Sequence, residues 1–230
     1  MLSQKHIIRV KVPPEKYRYI KTLYKRNQAD INTYIEQLQW WNKRVNLVSR
    51  DVSRETLVMH VEHSLLLLLV SAVKEASVLL DVGTGGGLPG MPLAICRQGG
   101  SIQRIIMNDK VEKKIWATKQ MIHKMGIKGV EALFKNASQL STEDVVDVSR
   151  EVAEAPQSTI CVTKHAFKVA QLLDLISPNL TNDFVFLKGH AEAVDEIKSL
   201  NFPVKAVIYT LDSINETSFY DGKAIVHLSR

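Results

Sequence analysis

Asp81, Gly83, Gly85 and Gly87 stand at alternate positions in the run Leu79-Leu80-Asp81-Val82-Gly83-Thr84-Gly85-Gly86-Gly87-Leu88-Pro89-Gly90. The apolar stretch 78–82 predicts a short strand that holds the acid, the glycines a turn, and the stretch 89–95 the opening of a helix. Strand, glycine turn and helix let a backbone lie flat against a nucleotide-like ligand, because glycines reach positive φ and lack the Cβ that would hold the ligand away. Pro89 suits a first helical turn, where its missing N–H is not needed.

The register of the acid discriminates between ligands. Gly85-Gly86-Gly87-Leu88-Pro89-Gly90 formally satisfies G-x-G-x-x-G, a dinucleotide fingerprint. In that fingerprint the first glycine follows the strand directly and helix amides face a pyrophosphate. Here Asp81 precedes Gly83 by two residues, which gives D-x-G-x-G-x-G. An acid at a strand end suits a ligand with a cationic amino group and no pyrophosphate. S-adenosyl-L-methionine, with an ammonium beside a sulfonium, is such a ligand. A second acid at the end of the next strand should take its ribose hydroxyls. The stretch 102–107 predicts that strand, and Asp109 follows it, 28 residues after Asp81, against about 20 in a dinucleotide unit. A dinucleotide site and a glycine turn without ligand stay open as alternatives.

Around this motif the pattern alternates strand and helix. Strands are expected at 78–82, 102–107, 130–134, 160–163 and 184–187, with helices at 89–97, 111–125, 166–176 and 191–200 and a short surface helix within 141–157. Two strands at 204–209 and 223–228, with no helix between them, predict an antiparallel hairpin. Ahead of the motif, Asp30 is a plausible N-cap for a helix with Ile31, Tyr34, Ile35, Leu38 and Trp41 on one face, and a helix from 56 to about 73 contains His60, His63 and Ser64. The expected fold is α/β, a Rossmann-like class I methyltransferase sheet, mostly parallel with an antiparallel C-terminal hairpin, over residues 75–230. A basic helical N-terminal extension, 1–74, precedes it.

Charge is uneven. Residues 1–50 hold 11 Lys and Arg against 3 Asp and Glu, and the other 180 hold 19 against 21. A basic quarter on a near-neutral body suits a polyanion. Tyr17, Tyr19, Tyr24, Tyr34 and Trp40-Trp41 lie among those charges, where aromatics can stack on unpaired bases or simply form core. The longest apolar run, 65–70, is far short of the ~20 residues that span a bilayer. With no signal peptide evident, a cytoplasmic protein without membrane contact is expected. Cys96 and Cys161 have no metal-ligand spacing and read as buried thiols, and His60 and His63 lack a third ligand, so no metal is expected.

With these residues in view, the chain resembles the small-subunit ribosomal RNA methyltransferase G family, also called glucose-inhibited division protein B. The resemblance runs from about Tyr34 to the C-terminus. It rests on Trp41-Asn42-Lys43-Arg44-Val45-Asn46-Leu47, His60 with Ser64, the run from Asp81 to Ala94, Asp109 with Lys113-Lys114, Ala166-Phe167 and Leu187-Lys188-Gly189. It implies methylation of guanine N7 in small-subunit ribosomal RNA, free or in the assembled subunit, by a monomer. Carried over by position, Gly83 and Leu88 would line the cofactor pocket, and Ala137 and Ser138 would offer amides to the adenine. The family usually has an acid at Ser138, an arginine at Asn136, an aspartate at His63 and an arginine at His165. The last departure puts the contact at the fourth strand in doubt more than the fold.

Guanine N7 already presents a lone pair, so no general base is required, and none is assignable. The task is alignment of N7 with the methyl carbon and sulfur. Lys43, Arg44, Lys164 and Lys188 are candidate RNA contacts, and His165 is a candidate cofactor-pocket residue. Adjacent strand residues point to opposite faces, so His165 is expected to face the pocket and Lys164 to face away. A small-molecule methyltransferase, a nicotinamide enzyme and a noncatalytic RNA-binding relative are the rivals. The basic N-terminal quarter disfavours the first two, and retained cofactor binding would exclude the last.

Overall fold

In a computed structural model, residues 5–97, 101–146, 158–214 and 217–230 are described. The chain opens with strand β1 (Lys5–Lys11) and helices α1 (Pro14–Arg26), α2 (Gln28–Asn42), α3 (Arg54–Leu65) and α4 (Ser71–Glu75). The alternation then runs β2 (Val78–Val82), α5 (Gly90–Cys96), β3 (Arg104–Asp109), α6 (Glu112–Met125), β4 (Val130–Phe134), α7 (Thr142–Val145), β5 (Thr159–Lys164), α8 (Val169–Leu175), β6 (Asp183–Gly189), α9 (His190–Lys198), β7 (Val204–Thr210) and β8 (Lys223–Ser229). The sheet order is β1-β7-β8-β6-β5-β2-β3-β4, and among the described strands only β8 is antiparallel to its neighbours.

Both faces of β2 are buried, so its sequence Val-Leu-Leu-Asp-Val is apolar without alternation. Leu79, Met107, Val162 and Leu187 meet the N-terminal helices, α5 and α6 on one face. Leu80, Ile106, Cys161 and Phe186 meet α8 and α9 on the other. Ile31, Tyr34, Ile35 and Leu38 of α2 are wholly buried in the first of these cores. The N-terminal helices therefore share a core with the sheet. Gly126 closes α6 in the left-handed conformation at φ 62°, as a helix C-terminus favours.

The mostly parallel sheet with an antiparallel end is present. Several local expectations are corrected. The N-terminal extension is not wholly helical: Lys5–Lys11 pairs in parallel with β7 as an exposed, basic edge strand. Asp30 is not an N-cap; Asn27 holds that position and Asp30 lies in the first turn. The long helix expected over 56–73 breaks at Val70, whose extended backbone separates a 3-10 turn from α4. Pro89 precedes α5 rather than lying within it. Asp109 is the last residue of β3 rather than the residue beyond the strand. The surface helix is only Thr142–Val145 among the described residues, and residues 147–157 lie outside them.

The glycine turn sits directly on α2: Leu38 lies where a Cβ at Gly86 would fall, 2.5 Å from its Cδ1. Leu38→Ala should cost about 2–5 kcal/mol through lost burial and the cavity left. Denaturant unfolding checks this; a loss within error would show that α2 does not support the turn.

Candidate active site

The Asp81 side chain is buried at the C-terminal end of β2, and one of its oxygens organises the turn. Oδ2 accepts from the Thr84 hydroxyl at 2.6 Å and from the Gly90 amide at 2.9 Å. Thr84 fixes the turn and Gly90 begins α5, so one carboxylate ties both ends of the loop to the strand that precedes it. Oδ1 is buried, with no hydrogen-bond partner among the described residues. Burial raises the carboxyl pKa to about 7, against the opposing pull of the Thr84 and Gly90 hydrogen bonds.

The glycines are required by the protein as much as by a ligand. A Cβ at Gly83, where φ is 76°, would lie 2.6 Å from Ala166 Cβ and 2.9 Å from Phe167 Cε2. A Cβ at Gly90 would lie 2.7 Å from Met107 Cγ. The Ala166-Phe167 segment therefore closes on Gly83, which the sequence could not reveal. Gly83 and Thr84 donate their amides to Asn108 O at 2.8 and 3.0 Å. The Tyr34 hydroxyl donates to Gly86 O at 3.0 Å, a loop anchor that sequence reading assigned to core or stacking.

Asp109 faces the turn from β3. Its Oδ2 accepts from the Gly85 amide at 3.1 Å and its Oδ1 from the Val111 amide at 2.9 Å. The Thr118 hydroxyl of α6 donates to Gly85 O at 3.2 Å. The W-N-x-x-x-N-L segment has a physical reason too. Asn42 Oδ1 accepts from the amides of Leu47 and Val48 at 2.9 and 3.0 Å, a knot that brings Leu47 against the turn beside Gly85 and Gly86. Leu88 is buried beyond it. Past β4, Ala137 and Ser138 sit in a 3-10 turn capped by Asn136, whose Oδ1 accepts from the Ser138 amide at 3.2 Å. The Ser138 N–H is thus already engaged.

At the end of β5 the expected orientation of Lys164 is corrected. Val162 is the register partner of Asp81, so Lys164 projects to the same face as Asp81. Its ammonium donates to His60 Nδ1 at 3.0 Å. His165 has φ 54°, a left-handed backbone that ends the strand and its alternation. Exposed, it lines a cleft of 370 Å³ with Phe167, Lys168, Gln171 and Glu192. His63 is fully buried with neither ring nitrogen hydrogen-bonded, 6.3 Å between ring centroids from His165. The charges that act on His63 come from Lys164, His165, Lys223 and His60, all basic. Burial and the nearby Lys164 push His60 down to about 3; at His165, on the cleft wall, partial desolvation with Lys164 and Lys223 outweighs Glu192 and pushes it down to about 4; burial with Lys223 pushes Lys164 down to about 8. Lys164 is therefore largely charged at neutral pH while the histidines are neutral. Sequence spacing could not pair His60 with Lys164, which lies 104 residues away.

Of the candidate RNA contacts, Lys43 and Arg44 are exposed. Lys188 is corrected. It is 3% exposed, with its ammonium 3.1 Å from Glu192, 3.0 Å from Glu196 and donating to Phe167 O at 3.1 Å. It anchors the Ala166-Phe167 segment and is not offered to a polyanion. Among the described residues, no helix is long and apolar enough to cross a membrane.

Residues 27–205 match the family described as rRNA small subunit methyltransferase G. The Ribosomal RNA small subunit methyltransferase G of Cytophaga hutchinsonii is 34% identical over 188 residues, 82% of this chain and 85% of its own. That of Flavobacterium johnsoniae is 31% identical over 188 residues, covering 82% and 84%. That of Chlorobaculum tepidum is 42% identical over 130 residues, covering 56% and 57%.

The buried acid gives a signed pH effect. Asp81 binds its proton more tightly folded than unfolded, so its contribution favours folding below its ordinary pKa of about 4 and is lost as pH rises through about 7. Asp81→Asn, which keeps an acceptor for Thr84 and Gly90, should flatten thermal stability between those limits relative to the parent. Parallel melting-temperature profiles in the two proteins would show that Asp81 is ionised without cost.

Proposed function

Since the chain belongs to the rRNA small subunit methyltransferase G family, we propose that it transfers the methyl group of S-adenosyl-L-methionine to N7 of a guanine in small-subunit (16S) ribosomal RNA. The observation that supports this reading best is the turn 83–87 held between Asp81 and Asp109 at the C-terminal edge of a parallel sheet, where ligands of open α/β folds gather. The donor set fits the cofactor. The amide bonds to Asp109 leave lone pairs for ribose hydroxyls, and Asp81 Oδ1 leaves a buried negative pole for the cationic end. Gly83, Gly85, Gly87 and Leu88 would line the pocket, and Ala137 with Ser138 would bound the adenine.

When bound, S-adenosyl-L-methionine supplies an electrophilic methyl group on a sulfonium. The chain has to align the guanine with it, and alignment can lower a barrier by about 7–11 kcal/mol. N7 attacks with its own lone pair, so no side chain need remove a proton. Lys164 fits the role of a cation that orients the RNA, and the neutral histidines beside it do not compete for that role. Base edges in A-form RNA are poorly accessible, so the target guanine is read from a loop or opened nucleotide. The basic part, 1–74, serves as the RNA-facing extension of a methyltransferase domain over 75–230. The protein works as a monomer in a reducing cytoplasm, which suits its two buried free thiols.

The test is incubation with methyl-labelled cofactor and either small subunits or free RNA. Label in 7-methylguanosine is expected; label in another nucleoside, or none in either substrate, overturns the reading. Lys164→Met should lower kcat/KM by about 10- to 100-fold, the loss of one charged hydrogen bond, while His165→Gln at pH 7 should change it little. The reverse ranking would return the role to His165. Each phosphate contact contributes about −0.7 to −0.9 to the slope of log K against log salt, so Lys43→Ala with Arg44→Ala should flatten the slope for RNA and leave cofactor affinity unchanged. A slope equal to the parent's would reduce both charges to solvated surface.

A further inference from the structure

All three tryptophans of the chain meet in one place, where α2 packs against α6. Trp41 is buried in the middle. Its ring centroid lies 4.6 Å from that of Trp40 and 4.9 Å from that of Trp116, with the rings nearly perpendicular. The two outer rings are not core: Trp40 is 47% exposed and Trp116 53%. Burying them would be favourable, and among the described residues nothing does. Arg44 lies over the Trp40 ring, its guanidinium carbon 3.6 Å from the centroid, and donates to Trp40 O at 2.8 Å. A shallow cleft of 270 Å³ runs from Trp40 along α6 past Gln37, Gln120, His123 and Lys124.

The charge around the rings is positive. Lys43 and Arg44, which follow Trp41 in the chain, and Lys124 on the cleft wall are exposed. The acids close by are Glu112, one turn before Trp116, and Glu36, one turn before Trp40 and 3.9 Å from Arg54. The patch also adjoins the site. Thr118, two residues beyond Trp116, holds Gly85 O, and the Asn42 knot after Trp41 seats Leu47 against the turn. Exposed aromatic faces among cations, without base-specific donors, suit nucleic acid strands whose bases are unpaired, because every base has a π face and every linkage a negative charge. A protein partner would be expected to bring acids to so basic a rim, but it would not need two separate, cation-flanked rings.

We propose that Trp40 and Trp116 form a stacking platform for unpaired bases of the substrate RNA that flank the methylated guanine, with Lys43 and Lys124 holding the adjoining phosphates. This rests on the RNA methyltransferase reading above and adds the surface by which the RNA is gripped.

Because the tryptophans all belong to this patch, fluorescence excited at wavelengths that tryptophan absorbs and the six tyrosines do not reports on it alone. The full chain is titrated with a single-stranded oligouridine and with an abasic oligomer of the same length and charge. Oligouridine should quench the fluorescence and the abasic strand should not. The double variant Trp40→Leu, Trp116→Leu keeps the apolar surface but loses the π faces. It should bind the oligouridine about 5- to 100-fold more weakly, bind S-adenosyl-L-methionine as the parent does, and unfold cooperatively at a temperature a few degrees below the parent's, because two edge contacts to Trp41 are lost. Phenylalanine at both positions should restore part of the affinity. Equal quenching by the two strands, or parental RNA affinity in the leucine variant, overturns the platform even if the parent methylates RNA. Concentration-dependent dimerisation abolished by the leucine variant, without quenching by RNA, would make the patch a protein contact and also overturn it. Failure of the parent to methylate any RNA would instead count against the methyltransferase reading.

Discussion

A carboxylate withdrawn from water at the end of a buried strand must be met by donors or give up its charge. Asp81 does some of both: Thr84 and Gly90 hold one oxygen, the other has no partner among the described residues, and burial raises its pKa to about 7. The loop between Thr84 and Gly90 is short enough that fixing both ends fixes the middle. Glycine is needed at Gly83 and Gly90 because Ala166, Phe167 and Met107 press in on them. The turn is thus held from three sides, by β2 beneath, by the segment after β5, and by the Asn42 knot that follows α2. Asp109 then meets the Gly85 amide of a turn that is already held.

The second constraint is an excess of basic groups at the end of β5, which the nearby acids Asp81 and Glu192 offset only in part. Lys164, His60, His63, His165 and Lys223 crowd together, and mutual repulsion adds to burial in keeping the histidines neutral. Lys223 arrives from β8, held over the Phe219 ring at 3.7 Å, so the antiparallel end of the sheet contributes to the site that the parallel part frames. Lys188, by contrast, is neutralised by Glu192 and Glu196, and Glu196 also accepts from the Val169 amide at the start of α8. Two lysines near adjacent strand ends therefore differ in kind: one is spent on architecture and the other remains a cation facing Asp81.

The glycine turn was legible in the sequence because its chemistry is local. Asp81 lies within nine residues of everything it binds, and Val130–Phe134 was readable because polar and glycine-containing stretches bound it. What was not legible depended on distant partners. Lys164 finds His60 on another element, and the left-handed backbone of His165 breaks the strand alternation from which its direction was read. Lys188 looked free because the two acids that hold it lie on the following helix, one and two turns along. β1 is hard to read from sequence since an edge strand that rests on the core chiefly through Ile7 has little need of apolar alternation, and Lys5–Lys11 shows little. Trp116 was overlooked because it meets Trp41 only when α6 packs on α2.

The preformed turn between Asp81 and Asp109 is best tested by a crystal structure of the protein with S-adenosylhomocysteine, the demethylated cofactor. The ribose hydroxyls should lie on the Asp109 carboxylate, the adenine beside Ala137 and Ser138, and the backbone of 83–87 should keep the conformation described above, with Asp81 still bound to Thr84 and Gly90. A ligand seated elsewhere, or a turn that must rebuild its backbone and release Asp81 to admit it, would contradict the claim.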